Sequence, residues 1–142
     1  MVGGVRVWDL RYCSKVVIPK GTKRIGNHWF WKSCIESVEI PASVKCIDTN
    51  AFYNCEDLES VVFAKGSRLE RLGNMCFYDS GIKEITLPSA LRKIGDYAFE
   101  NCSDLKTIYV EDGCEATLVD AGVPDLTSVI PISAILVGGM DI

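Results

Sequence analysis

The chain has 142 residues, 48% hydrophobic and 24% charged, enough to bury a core within one domain and too apolar for a disordered segment. Its net charge of −4 and pI near 5.0 argue against a nucleic-acid backbone or an anionic membrane as partner, since both demand a basic face. Seven cysteines with a single histidine and no C-x-x-C pair exclude a zinc-finger layout.

In chain order, residues 1–12 show a faint apolar alternation, Val2/Val5/Val7, predicted to be a degenerate structural rung. No charged-then-apolar leader follows Met1, so no signal peptide is expected. From Cys13 a short apolar run recurs as Cys13/Val16/Ile18, Ile35/Val38/Ile40, Leu58/Val61/Phe63, Ile82/Ile85/Leu87 and Leu105/Ile108/Val110. Alternation at its last two positions predicts a short strand with one buried face. Proline follows in "VVIPKG", "SVEIPAS" and "EITLPSA", where ladder pairing would end.

Between the strands a second line recurs: "RIGNHWFWKS", "CIDTNAFYNC", "RLGNMCFYDS" and "KIGDYAFENC", placing Phe30, Phe52, Phe77 and Phe99 at intervals of 22, 25 and 22 residues. Asn27, Thr49, Asn74 and Asp96 are good helix N-caps, which predicts a helical turn or two carrying each phenylalanine. Asn54 and Asn101 tolerate the left-handed conformation that would end such a turn. Cys55 and Cys102, Pro41 and Pro88, and Phe52 and Phe99 are each 47 residues apart. The chain thus reads as a duplicated two-rung unit with a three-residue insertion near "GSRLERL".

The dense stretch "GNHWFWKSC" (residues 26–34) is one line of this repeat. His28 occupies the slot of Asn50, Met75 and Tyr97, and Trp29 that of Ala51, Cys76 and Ala98, so neither is assigned a metal or catalytic role. Residues 115–142 leave the pattern and are predicted to form a cap or connector. Within them "EATLVDAG" suggests a short helix ended by Gly122 and Pro124. "VIPISAILVGGM" is too short, and too broken by Pro131, to span a membrane. "LVGGMDI" echoes the opening "MVGGVRV", as if a further unit of a longer array began there.

A rung of 22–25 residues cannot bury its apolar face alone, so stacking must supply the core. The expected fold is α/β: a right-handed leucine-rich-repeat solenoid, with a parallel concave sheet and short helices or turns on the convex side. The run L-x-x-I-x-I-P-x-x-L-x-x-I-G-x-x-A-F-x-x-C, clearest in "LPSALRKIGDYAFENCSDLKTIYV" and "IPASVKCIDTNAFYNCEDLESVVF", resembles the BspA-like (Treponema pallidum type) leucine-rich repeats over residues 13–114. Asp48 after Ile47, Trp29 and Cys76 in the small slot, and Ser33 and Ser80 in the cysteine slot depart from that pattern locally.

The repeat also places the cysteines. Cys55, Cys76, Cys102 and Cys13 fall in buried slots, as small hydrophobes. Cys46 shares the slot of Arg24, Arg71 and Lys93 and is expected to be exposed. Serines alternate with cysteines at residues 33, 55, 80 and 102, so no disulfide ladder forms there, and the thiols are expected to be reduced and structural.

Nothing in the sequence suggests an active site. "VGGV" lacks the lysine and spacing of a phosphate loop, and the carboxylates are scattered over exposed slots, so a non-enzyme without cofactor or metal is expected. A repeat stack offers instead a broad recognition face. Its outward sheet positions are Lys15, Val17, Ser37, Glu39, Ser60, Val62, Glu84, Thr86, Thr107 and Tyr109, with Val62 and Tyr109 as expected anchors and Glu39 and Glu84 lending acidity. Trp31, Tyr53 and Tyr78 share one slot on successive rungs, as mutual packing or as an aromatic strip for a partner.

The resemblance implies a module of a cell-surface or secreted adhesin that binds host or partner-cell proteins. Two alternatives stand beside it: a cytoplasmic scaffold using the same face, and a structural spacer whose ends stack head to tail. A protein partner is expected, without nucleic acid or membrane insertion.

Overall fold

The computed structural model describes residues 15–133. The expected first rung over 1–12, the slot of Cys13 and the "LVGGMDI" echo lie outside these residues. The strands are β1 (Lys15–Val17), β2 (Arg24–Ile25), β3 (Ser37–Ile40), β4 (Cys46–Ile47), β5 (Ser60–Phe63), β6 (Arg71–Leu72), β7 (Glu84–Leu87), β8 (Lys93–Ile94), β9 (Thr107–Val110) and β10 (Ser128–Pro131). They form two parallel sheets, a six-stranded one in the order β1-β3-β5-β7-β9-β10 and a four-stranded one in the order β2-β4-β6-β8. Each of the first four described rungs contributes one strand to each, and β9 and β10 extend the larger sheet, so the chain is a parallel β-solenoid of the leucine-rich-repeat kind.

The period-2 alternation of the sequence aims one residue in two inward. Val16, Val38, Val61, Ile85 and Ile108 are buried along the six-stranded sheet, and Ile25, Ile47 and Leu72 along the other. Parallel register stacks equivalent residues, with Val16 beside Val38, Val38 beside Val61 and Ile85 beside Ile108. Phe30, Phe52, Phe77 and Phe99 close the third side, all wholly buried. Their rings stack with centroids 5.0, 5.3 and 5.8 Å apart.

The predicted helical turns are not helices. Residues 27–32, 49–54, 74–79 and 96–101 are successive tight turns, the other half of the expectation for this side. His28, Asn50, Met75 and Tyr97 are left-handed, with φ between 54° and 62°, immediately after the residues read as N-caps. Lys32, Asn54, Asp79 and Asn101, four residues on, are left-handed again. Amides between these positions bond across rungs: Phe30 N–H to the Ala51 carbonyl (2.8 Å), Lys32 N–H to that of Tyr53 (2.8 Å) and Phe52 N–H to that of Cys76 (2.8 Å). The reason is pitch. An α-helix is roughly 10 Å across, whereas strands stack about 4.8 Å apart. A turn chain bonded to its neighbour keeps the strand pitch on both sides of the solenoid.

That pitch brings backbones together at the glycines after β6 and β8. A methyl group on Gly73 would lie 2.5 Å from the Thr49 nitrogen, and one on Gly95 equally close to the Asn74 nitrogen. Asp48 takes this slot in the second rung and turns its carboxylate to Arg24, 2.9 Å away.

The segment 115–122 is likewise not the helix expected of "EATLVDAG". It continues the turn column, with the Tyr97 and Phe99 amides bonding to the Asp120 and Ala121 carbonyls (both 2.8 Å). β10 then joins the six-stranded sheet in register with β9, Ser128 beside Thr107 and Ile130 beside Tyr109.

Candidate functional site

The outward positions of the six-stranded sheet form two rows. One runs Lys15, Ser37, Ser60, Glu84, Thr107 and Ser128, linked pair by pair through the strand register. In the other, Val17, Glu39 and Val62 are neighbours, as are Thr86, Tyr109 and Ile130. All ten sheet residues singled out from the sequence thus share one surface. Ser128 and Ile130 extend it, and sequence reading missed them. Their signal was blurred: "SVIP" at 128–131 is one residue shorter than "SVEIP" at 37–41, so Pro131 falls beside Val110 within the strand instead of after it.

Val17 and Val62 are 53% and 51% exposed, a large share for apolar side chains on a packed sheet. Tyr109 is half-buried. Glu39 is paired with Lys15 at 2.7 Å and Glu59 with Lys83 at 3.4 Å, so the acidity expected of the face rests on Glu84.

The sheet is not uniform. β3 pairs with β5, and β7 with β9, over four residues each, but β5 and β7 are in register at Ser60 and Glu84 alone. The rung between them carries the three-residue insertion read from "GSRLERL". An open groove of about 590 Å³ lies between the two strands, floored by Val61 and Ile85 and edged by Val62, Lys83, Glu84 and Thr86. A smaller apolar pocket of about 180 Å³ joins Val17, Ile40, Pro41 and Val62.

On the turn side, Tyr53 stacks on Tyr78 with centroids 4.9 Å apart and planes 6° from parallel. Trp31 tilts over Tyr53 at 6.4 Å, meets the His28 ring edge-on at 5.1 Å and carries the Lys32 ammonium 5.0 Å above it. Tyr53 and Tyr78 are spent on one another, and Trp31, 47% exposed, is the most accessible ring of the three among the described residues.

Cys55 donates its S–H to the Phe30 carbonyl (2.9 Å) and faces the Ser33 hydroxyl (3.6 Å), and Cys102 repeats this with Phe77 (3.1 Å) and Ser80 (3.3 Å). Burial pushes the Cys55 thiol up to about 11, against a smaller opposing pull from the Ser33 hydrogen bond. It also raises Cys102 and, well above the ordinary thiol value, Cys76. These are packed thiols, not nucleophiles. Cys46 is half-buried rather than exposed: it donates to Asp48 (3.0 Å) and accepts from Arg71 (3.3 Å). Cys34 departs from the expectation of reduced thiols, being disulfide-bonded, while Cys46, Cys55, Cys76, Cys102 and Cys114 are free.

Among the described residues no group of three or more His, Cys, Asp and Glu side chains is placed to hold a metal ion. No helix there is long and apolar enough to cross a membrane.

No curated protein resembles the chain closely enough in sequence to count as a relative. Among solved structures, the pneumococcal vaccine antigen PcpA superposes with a TM-score of 0.68 at 20% identity, over 83% of this chain and 36% of that one. A leucine-rich repeat protein from Bacteroides capillosus gives 0.59 at 28% identity, over 68% of this chain and 75% of that one. The present chain therefore spans about a third of the pneumococcal antigen and shares its fold. Six consecutive copies of the BspA type leucine rich repeat match residues 9–119. With that match and the stacked parallel rungs, the chain belongs to the BspA-type leucine-rich-repeat family.

Proposed function

We propose that the chain is a protein-recognition module of a cell-surface adhesin and that it engages its partner through the six-stranded sheet. The observation that carries this reading is the pair Val17 and Val62, apolar and half-exposed around one apolar pocket, with Val62 also edging the open groove, on a backbone hydrogen-bonded from rung to rung. A rigid face loses little conformational entropy on binding, and exposed apolar groups gain most from desolvation. Sheet positions vary from rung to rung while buried ones repeat, which suits selection for a surface rather than for a core.

Surface display is supported by the character of the family and by a fold shared with a vaccine antigen. The Cys34 disulfide belongs with an oxidising compartment. The runner-up, an intracellular scaffold using the same face, draws on the five free thiols among the described residues. Labelling intact source cells with antibody to this module, before and after permeabilisation, separates the two. Signal without permeabilisation is expected, and signal only after it would sink the adhesin reading.

A further inference from the structure

The net charge of −4 averages over two unlike flanks. The arcs that lead from the six-stranded into the four-stranded sheet, residues 19–26, 41–48, 64–73 and 88–95, hold nine lysines and arginines against two carboxylates, Asp48 and Glu70. The turns opposite, residues 27–36, 49–59, 74–83 and 96–106, hold three lysines against eight carboxylates. An acidic protein thus carries a basic strip running along its stack.

We propose that the four-stranded sheet and its arcs bind a linear sulfated polysaccharide laid along the solenoid axis. Arg24, Arg71 and Lys93 occupy one column of that sheet, linked through Cys46 by the register Arg24–Cys46–Arg71–Lys93. Strand spacing repeats these charges at multiples of about 4.8 Å, a periodic row for a periodic polyanion. Arg24 is committed to Asp48 at 2.9 Å, and in the neighbouring column Arg92 faces Glu115 at 3.7 Å. Arg71 and Lys93 are exposed and have no carboxylate within ion-pair distance among the described residues. The gap in the column is neutral at ordinary pH, because burial and the Asp48 carboxylate raise the Cys46 thiol.

The column borders an open groove of about 430 Å³ lined also by Asn27, Thr49 and Asn74, and by the Asp48 carboxylate that Arg24 already holds. Short amides and hydroxyls beside separated cations suit a chain bearing both hydroxyl and sulfate groups. The four arcs contain no aromatic residue, which leaves nothing for unpaired bases to stack upon. They present no apolar wedge for a lipid surface either.

The test is binding of the intact chain to heparin in low salt, compared with chemically desulfated heparin, duplex DNA and vesicles containing phosphatidylserine. Heparin should bind and be released by salt, and removing sulfate should weaken it severely. Arg71→Ser with Lys93→Ser should lower heparin affinity about tenfold or more, in the manner of lost phosphate contacts. Lys32→Asn with Lys106→Ser, the same charge change on the acidic flank, should alter it less than about twofold. All four side chains are exposed, and circular dichroism of each variant is the check that it folds. Equal losses in the two variants would overturn the proposal, as would DNA or vesicles binding as tightly as heparin. So would no heparin binding at all, or a salt-sensitive self-association that accounts for the signal. The strip is separate from the sheet of the proposed protein site, so the two readings fail independently.

Discussion

Phe52 lies face to face with Phe77, ring centroids 5.3 Å apart and planes 13° from parallel. Phe52 and Phe77 each have a flat ring on either side, so the column is a shared core. Phe77→Ala should cost about 3–5 kcal/mol, the range for a large aromatic removed from a core that cannot collapse. Because rungs are coupled to nearest neighbours, the loss should spread to both adjacent rungs. Urea unfolding with amide exchange checks this: protection should fall in the Phe52 and Phe99 rungs together. A loss confined to residues 74–83 would contradict a shared core.

Tyr97 sits left-handed at φ 59°, in a slot that Asn50 fills two rungs earlier, and half of its side chain is exposed. A non-glycine residue there costs roughly 1–2 kcal/mol. Tyr97→Gly should therefore stabilise the chain by about 0.5–1 kcal/mol, the backbone relief being partly offset by glycine's entropy in the unfolded state. The helix first expected here predicts the opposite sign, since glycine weakens a helix. A thermal melt distinguishes the two.

The buried thiols give stability a pH dependence. Cys55 has a folded pKa near 11 against 9.0 unfolded, so between those values the folded state holds a proton that the unfolded state has released. Unfolding free energy then falls as pH rises, by at most about 1.4 kcal/mol per unit for this thiol. Below pH 9 it has no effect. Urea titrations at pH 8.5 and 10.5 should show the loss, and Cys55→Ala should remove this share of it. Identical slopes for both proteins would refute the packed-thiol reading.

The strand positions, the phenylalanine core and the family were legible because parallel stacking repeats the same demand on every rung. Val16, Val38, Val61, Ile85 and Ile108 answer it with one side-chain class. The turns were not legible. Asn, Asp and Thr at 27, 49, 74 and 96 satisfy a helix cap and a tight turn equally, and what decides is the distance to the next rung. Asn74 shows this: its side-chain oxygen accepts the Asp96 amide of the neighbouring rung (2.9 Å) and caps nothing of its own. Residues 115–122 misled likewise, since a rung without phenylalanine reads as the end of the pattern while cross-rung bonds continue it. Of the candidate surface, membership was readable from alternation. The split between β5 and β7 and the Lys15–Glu39 pair depend on spacing between rungs, which no local pattern records.

The most direct measurement is interferometry of the folded module against purified fibronectin, laminin and collagen, with Val62→Glu/Tyr109→Ala and Trp31→Ala as variants. Binding by the native chain to at least one matrix protein is expected, with a loss of about tenfold or more in the sheet variant and little change in Trp31→Ala. Binding retained by the sheet variant, lost through Trp31 instead, or absent for every matrix protein would contradict recognition through the six-stranded face.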